Sequence, residues 1–287
     1  MKEEAHIKDS PIPASPVMPI QYDEDYTIKF ECKPGISCWN ACCKAIDITL
    51  TPYDIVRLKN RLGMTSAEFL AAYTVPYEMD ADGLPGVKFR TEDEAPVCLF
   101  VQDEGCSVYE DRPTSCRYYP IGLVSQRKQD EYVDNVSYAV VVEDHCKGHD
   151  EDREITIKDY RKEQGVEDYD KHGRAWRQLI LKKKSSGPSI GKPSKRSLQI
   201  FFMASYNIDT FREFIKSEGF SQVYELTDEH LEVINGDDDV AFLGFSMKFI
   251  TQLLYGEDFL VMKTDAEDSR VARRREMAAE EQAGKGE

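Results

Sequence analysis

Apolar residues recur at helical spacing in several stretches of the chain, and the residues around them mark where each helix starts and stops. Thr51, Pro52 and Asp54 supply a cap, a proline at the first helical position and an acid at the third, ahead of Ile55, Leu58 and Leu62. Gly63 ends that helix, and Thr65 and Glu68 open a second one with Phe69, Leu70 and Tyr73 as core contacts. The pattern turns helical again over 155–184, where Tyr160, Trp176, Leu179 and Ile180 are available for burial. Over 198–260 it predicts three helices. Phe211, Phe214 and Ile215 share one apolar face there, and Phe242, Phe245, Phe249, Leu253 and Leu254 share another. Such stripes read as helix-packing core rather than as a cofactor box. Short β-branched and aromatic runs over 87–101 and 131–142 predict a few strands forming a small sheet.

The fold class expected is therefore α+β and predominantly helical. Four regions follow from the pattern. A flexible arm over 1–25 carries Pro11, Pro13, Pro16 and Pro19. A cysteine-bearing segment with the small sheet spans 26–150, a helical region spans 151–262, and a charged tail spans 263–287. A stretch rich in Gly, Pro, Ser and Lys over 185–197 reads as a linker.

Composition narrows the function. Of 287 residues 41 % are hydrophobic, enough for a core, and the formal charge is −16. That sign disfavours recognition of a phosphate backbone, so no nucleic-acid partner is expected. The apolar run over 138–142 is far too short to cross a bilayer, so no membrane partner is expected either. The opening MKEEAHIKDS has no apolar stretch of the secretory kind, and the simplest placement is the cytoplasm. A protein substrate or partner stays open.

Cysteine is the unusual component. Eight cysteines lie between Cys32 and Cys146, and none follows. In a reducing compartment they stay thiols, and clustered thiols read first as metal or iron–sulfur ligands. The first group is Cys32, Cys38, Cys42 and Cys43. On a helical turn Cys38 and Cys42 share one face, whereas the side chains of adjacent Cys42 and Cys43 point apart. One of that pair can face a cluster while its neighbour faces a second centre or packs as a small apolar group. The second group is Cys98, Cys106, Cys116 and Cys146. A turn at Asp103-Glu104-Gly105 would bring Cys98 and Cys106 together, and Pro113 and Pro120 stiffen the backbone around Cys116. Arg112 and Arg117 put positive charge beside the thiols, or pair with carboxylates.

Thiolate-only sites suit zinc or iron–sulfur clusters. The spacings fit neither the paired zinc-finger pattern nor the ferredoxin runs. The three-cysteine signature of radical S-adenosylmethionine enzymes fails because Ala45 stands where the third cysteine is needed. Two four-ligand sites, one cluster with spare cysteines, or a cluster plus a disulfide all remain open. Other candidates have plainer readings. His145 and His149 read as hydrogen-bonded surface groups, Asp237-Asp238-Asp239 as an acidic turn beside a helix, and Lys182-Lys183-Lys184 as a solvated basic stretch. Tyr118 and Tyr119 either shield a cluster or simply pack.

Four motifs in order carry a resemblance: the Cys32 to Cys43 block, the LTPYDIVRLKNRLGMTSAEFL segment, the GCSVYEDRPTSCRYYP run and the late HCKG. Over about 26–150 the chain resembles the YkgJ-type cysteine-cluster family, described as chelating zinc or iron. All eight cysteines fall on that family's cysteine positions, although the interval between Cys32 and Cys38 is longer than in its common form. The flagellin lysine N-methylases share these motifs. The resemblance implies an iron–sulfur cluster as the first reading and a structural zinc adaptor as an alternative. A protein lysine methylase using S-adenosylmethionine is the runner-up, and no glycine-rich methyltransferase loop is seen in the sequence.

Overall fold

A computed structural model describes residues 20–44, 46–91, 96–126, 135–185 and 193–263. The expectations for 1–19, 186–192 and 264–287, which cover most of the arm, the linker and the tail, lie outside those residues.

The first two helices form where their caps place them. Helix α1 (Pro52–Leu62) starts from Thr51, whose hydroxyl accepts the Asp54 N–H while the Asp54 carboxylate accepts the Thr51 N–H. Gly63 ends it in the left-handed region at φ 65°, where a side chain would be strained. Helix α2 (Ser66–Tyr73) repeats the box with Thr65 and Glu68. Strands β2 (Thr49–Leu50), β3 (Thr74–Glu78) and β4 (Pro85–Phe89) form an antiparallel sheet in the order β2-β4-β3. The other strands pair as two-stranded ribbons. In these, β1 (Thr27–Lys29) meets β9 (Glu154–Thr156), β5 (Val101–Gln102) meets β6 (Gly105–Cys106), and β7 (Ile121–Gln126) meets β8 (Asn135–Val140). A last ribbon joins β10 (Tyr224–Glu225) to β11 (Val261–Met262).

Two predicted helical stretches are more divided than their periodicity suggests. Over 155–184 the chain makes α4 (Ile157–Glu163) and α5 (Val166–Ser185), parted by Gly165 at φ 62°. Over 198–260, where three helices were expected, it makes α6 (Lys195–Tyr206), α7 (Ile208–Lys216), α8 (Glu218–Ser221), α9 (Asp228–Asn235) and α10 (Asp239–Tyr255). The breaks have local causes. Asn207 leaves helical geometry, and Ser217, Thr227 and Asp238 each accept a hydrogen bond from the N–H groups that open the next helix. The 195–197 end of the expected linker is the first turn of α6.

Two hydrophobic cores result. The larger joins Tyr53, Leu58, Phe69 and Phe89 to Trp176, Phe201, Phe211, Phe242 and Phe249. The aromatic stripes are thus interior, and burying each of these side chains contributes about 2–3 kcal/mol. The smaller joins Ile28, Phe30, Tyr118, Ile121 and Tyr138 to Ile157, Tyr160 and Val166. Cys98 and Cys106 pack against the larger core, and Cys146 packs against the smaller.

Candidate metal centre

The first thiols are placed by the chain leaving β1. The Phe30 N–H donates to Arg153 O at 2.9 Å and the Glu31 N–H to Gly148 O at 3.0 Å, which lays Cys32 beside the Cys146–Gly148 stretch. Gly148 allows this approach. A Cβ there would sit 2.4 Å from Phe30 Cε2 and 2.9 Å from Glu31 O. From Lys33 to Lys44 the backbone makes successive tight turns closed by i to i−3 bonds, among them Trp39 N to Ile36 O and Ala41 N to Cys38 O, both 2.9 Å. Asn40, left-handed at φ 62°, interrupts them before a short 3-10 turn at Ala41–Cys43. Cys38 and Cys42 therefore do not share the face of one helical turn. Cys38 instead meets the late motif, where its Sγ accepts the Lys147 N–H at 3.2 Å.

The other thiols approach from the opposite direction. The Cys98 N–H donates to Cys43 O at 2.9 Å. The expected turn at Asp103-Glu104-Gly105 is present, with Gly105 at φ 131° and Val101 opposite Cys106 across β5 and β6. Cys116 rides on helix α3 (Thr114–Tyr118). Asp54 fixes that helix to α1. Fully buried, it accepts the Thr114 N–H and hydroxyl at 2.8 Å each on Oδ1 and the Thr51 N–H at 2.8 Å on Oδ2. Burial pushes its carboxyl above the usual range despite those donors. Asp54 was legible only as the acid of a capping box. Its second role spans 60 residues, and no local pattern carries it.

All eight cysteines are free thiols. Cys32 is an exposed residue, yet desolvation around its sulfur, together with Cys42, Cys38 and Cys146, raises its pKa to about 11. Burial followed by the Cys98 and Cys106 charges raises Cys116. Burial raises Cys98 and Cys106 as well, and also Cys146, where Cys38 and Cys42 add to it. Cys43 and Cys42 share a hydrogen bond that lowers Cys42 and raises Cys43. Among the described residues no three Cys, His, Asp or Glu side chains are drawn together tightly enough to grip an ion as they stand. The thiols are gathered but not closed.

The neighbours sort by role. Arg117 is buried and donates to the carbonyls of Arg112, Gln164 and Glu110, so it ties loops together. Arg112 donates to Tyr109 O at 2.7 Å and lowers the pKa of Cys32 and Cys106 by its charge. His149 is held by Val141 O at 3.0 Å and lies tilted beside Phe30, while His145 lies 3.7 Å from Glu143. Asp238 caps α10, and Asp239 pairs with Lys59 at 2.6 Å and Arg212 at 2.9 Å. Lys182 pairs with Glu257 and Lys183 with Asp82. Tyr118 donates to Asp170 at 2.5 Å. Tyr119 Oη is buried beside Cys146 and Glu143 and has no well-formed hydrogen bond among the described residues. A thiolate at Cys146 would accept that bond, so the donor set and its surroundings fit a sulfur-ligated metal.

Residues 31–147 match the CxxCxxCC family model, whose description is "Putative zinc- or iron-chelating domain". The match covers less than half of the chain. All eight cysteines lie within it, and the YkgJ-type resemblance in the sequence fits the match. No curated protein and no solved structure matches the chain. The likeness to the flagellin lysine methylases gains no support from these comparisons. The matched segment is built into the rest of the fold, because both cores draw residues from it and from the helices that follow it.

Proposed function

We propose that the chain is an iron–sulfur protein whose thiolates come from Cys32, Cys38, Cys42, Cys43, Cys98, Cys106, Cys116 and Cys146. One observation carries the reading: eight free thiols from distant parts of the sequence lie near enough to act on one another's charge. An all-sulfur set suits iron–sulfur clusters and zinc, and these spacings match neither the close pairs of common zinc modules nor the ferredoxin runs. A cluster so held supplies one-electron transfer at a potential set by hydrogen bonds to sulfur and by exposure.

The chain's own groups are arranged for that work. The Lys147 N–H already donates to Cys38 Sγ, Tyr119 Oη lies against Cys146, and the Arg112 charge offsets part of the negative charge of gathered thiolates. A reducing compartment, the cytoplasm in the simplest case, keeps the thiols available.

Protein purified without oxygen tests this reading through its absorption spectrum and its iron, acid-labile sulfide and zinc content per chain. A brown protein with matched iron and sulfide is the expected result. Zinc without sulfide would replace the cluster by a structural zinc site.

A further inference from the structure

We propose that the adjacent Cys42 and Cys43 divide the thiols into two four-cysteine centres, Cys32, Cys38, Cys42 and Cys146 in one and Cys43, Cys98, Cys106 and Cys116 in the other. The inference rests on the metal-binding reading above and goes beyond it in the number and membership of the centres.

Backbone contacts separate the two sets. Glu31 bonds to Gly148, and Lys147 bonds to the Cys38 sulfur, so Cys32, Cys38 and Cys146 form one neighbourhood. Cys43 bonds through its carbonyl to Cys98, and the β5–β6 turn carries Cys106 back beside the Cys98 segment. The two neighbourhoods rest on different cores. Cys146 packs on the smaller, and Cys98 and Cys106 pack on the larger.

Electrostatic neighbours agree with the contacts. The thiols acting on Cys32 are Cys42, Cys38 and Cys146, and those acting on Cys43 are Cys42, Cys98 and Cys116. Cys42 stands between the sets and is felt from both sides, and Cys43 completes the second set. The Cys42 and Cys43 thiols share a hydrogen bond here, so serving two centres requires that bond to open and the neighbouring side chains to turn apart, as consecutive side chains can. Four sulfurs are the usual complement of a zinc ion or of an iron–sulfur cluster, and eight supply two such complements without a spare. Binding requires each set to close inward from the open arrangement seen here.

The test compares metal and sulfide per full-length chain in the wild type, in C38S/C146S, in C98S/C106S, and in each double variant with C43S added. Far-UV circular dichroism checks that each variant keeps its helices. The wild type should hold two centres, and each double variant should lose about half of the metal. Adding C43S should strip the remainder from C38S/C146S and change nothing in C98S/C106S. If one double variant loses all its metal while the other keeps all of it, there is a single centre with spare cysteines and the partition is wrong. A wild-type chain with one centre also overturns the partition, yet leaves the metal reading standing. A wild-type chain that takes up neither iron nor zinc overturns both.

Discussion

Asp54 links a helix cap to the cysteine that follows it in space. Replacing it with Ala leaves the Thr51 N–H and both Thr114 donors unpaired in a buried setting, and should cost about 3 kcal/mol. Denaturant unfolding of D54A measures this, and a loss under about 0.5 kcal/mol would contradict the buried linkage. Gly148 is the steric counterpart. In G148A the new Cβ meets Phe30 and the Glu31 carbonyl, so the Cys32 and Cys146 segments must part. Reduced metal retention with an unchanged helical signal is expected, read by metal content after gel filtration. Asp239 sets an acid dependence. Burial raises its pKa, but the Lys59 hydrogen bond and charge and the Arg212 hydrogen bond outweigh it and leave the carboxyl below its usual value. Its stabilising contribution is full above the unfolded-chain value of about 3.9 and is lost as pH falls through the lower folded value. The D239N variant should therefore be less stable than the wild type near neutrality, with the gap narrowing below about pH 4, as thermal melts across pH would show.

At the scale of elements, the structure follows the sequence most closely where one side chain settles the matter. Thr51, Thr65 and Gly63 fix the bounds of α1 and α2, and Asp103-Glu104-Gly105 fixes a two-strand turn. Replacing Thr65 with Ala should remove the α2 cap and cost about 1 kcal/mol, measured by denaturant unfolding. The reading falls short where a polar residue inside an apolar pattern turns the chain instead of facing solvent. Asn207 and Ser217 do this among the C-terminal helices, and Gly165 does it between α4 and α5. The stretch from Cys32 to Cys43 departs for another reason. Periodicity favoured a helical turn, but Asn40 in the left-handed region and the long-range bonds to Gly148 and Lys147 override it. The cysteines were legible as candidate ligands from their clustering in the sequence. The contacts that sort them, such as Cys43 to Cys98 and Cys38 to Lys147, join residues far apart in the chain and leave no local pattern.

The whole molecule sets the thiol-bearing loops against two apolar cores built of aliphatic and aromatic side chains. Phe201, Phe211, Phe242 and Phe249 are buried in one core and lie well away from the thiol-bearing loops in sequence, so chelation should leave most helical structure intact. The loops should respond instead. Removal of metal is expected to speed tryptic cleavage at Lys44 and Lys147, which flank the thiols, with little change in far-UV circular dichroism. Global unfolding on chelation would show that the metal, rather than the cores, holds the fold.

The central claim is that cysteine sulfur holds the metal, and X-ray absorption at the iron or zinc edge of anaerobically purified protein tests it most directly. An all-sulfur first shell near about 2.3 Å is the result expected from this thiol set. A first shell of nitrogen or oxygen near about 2.0–2.1 Å would contradict it.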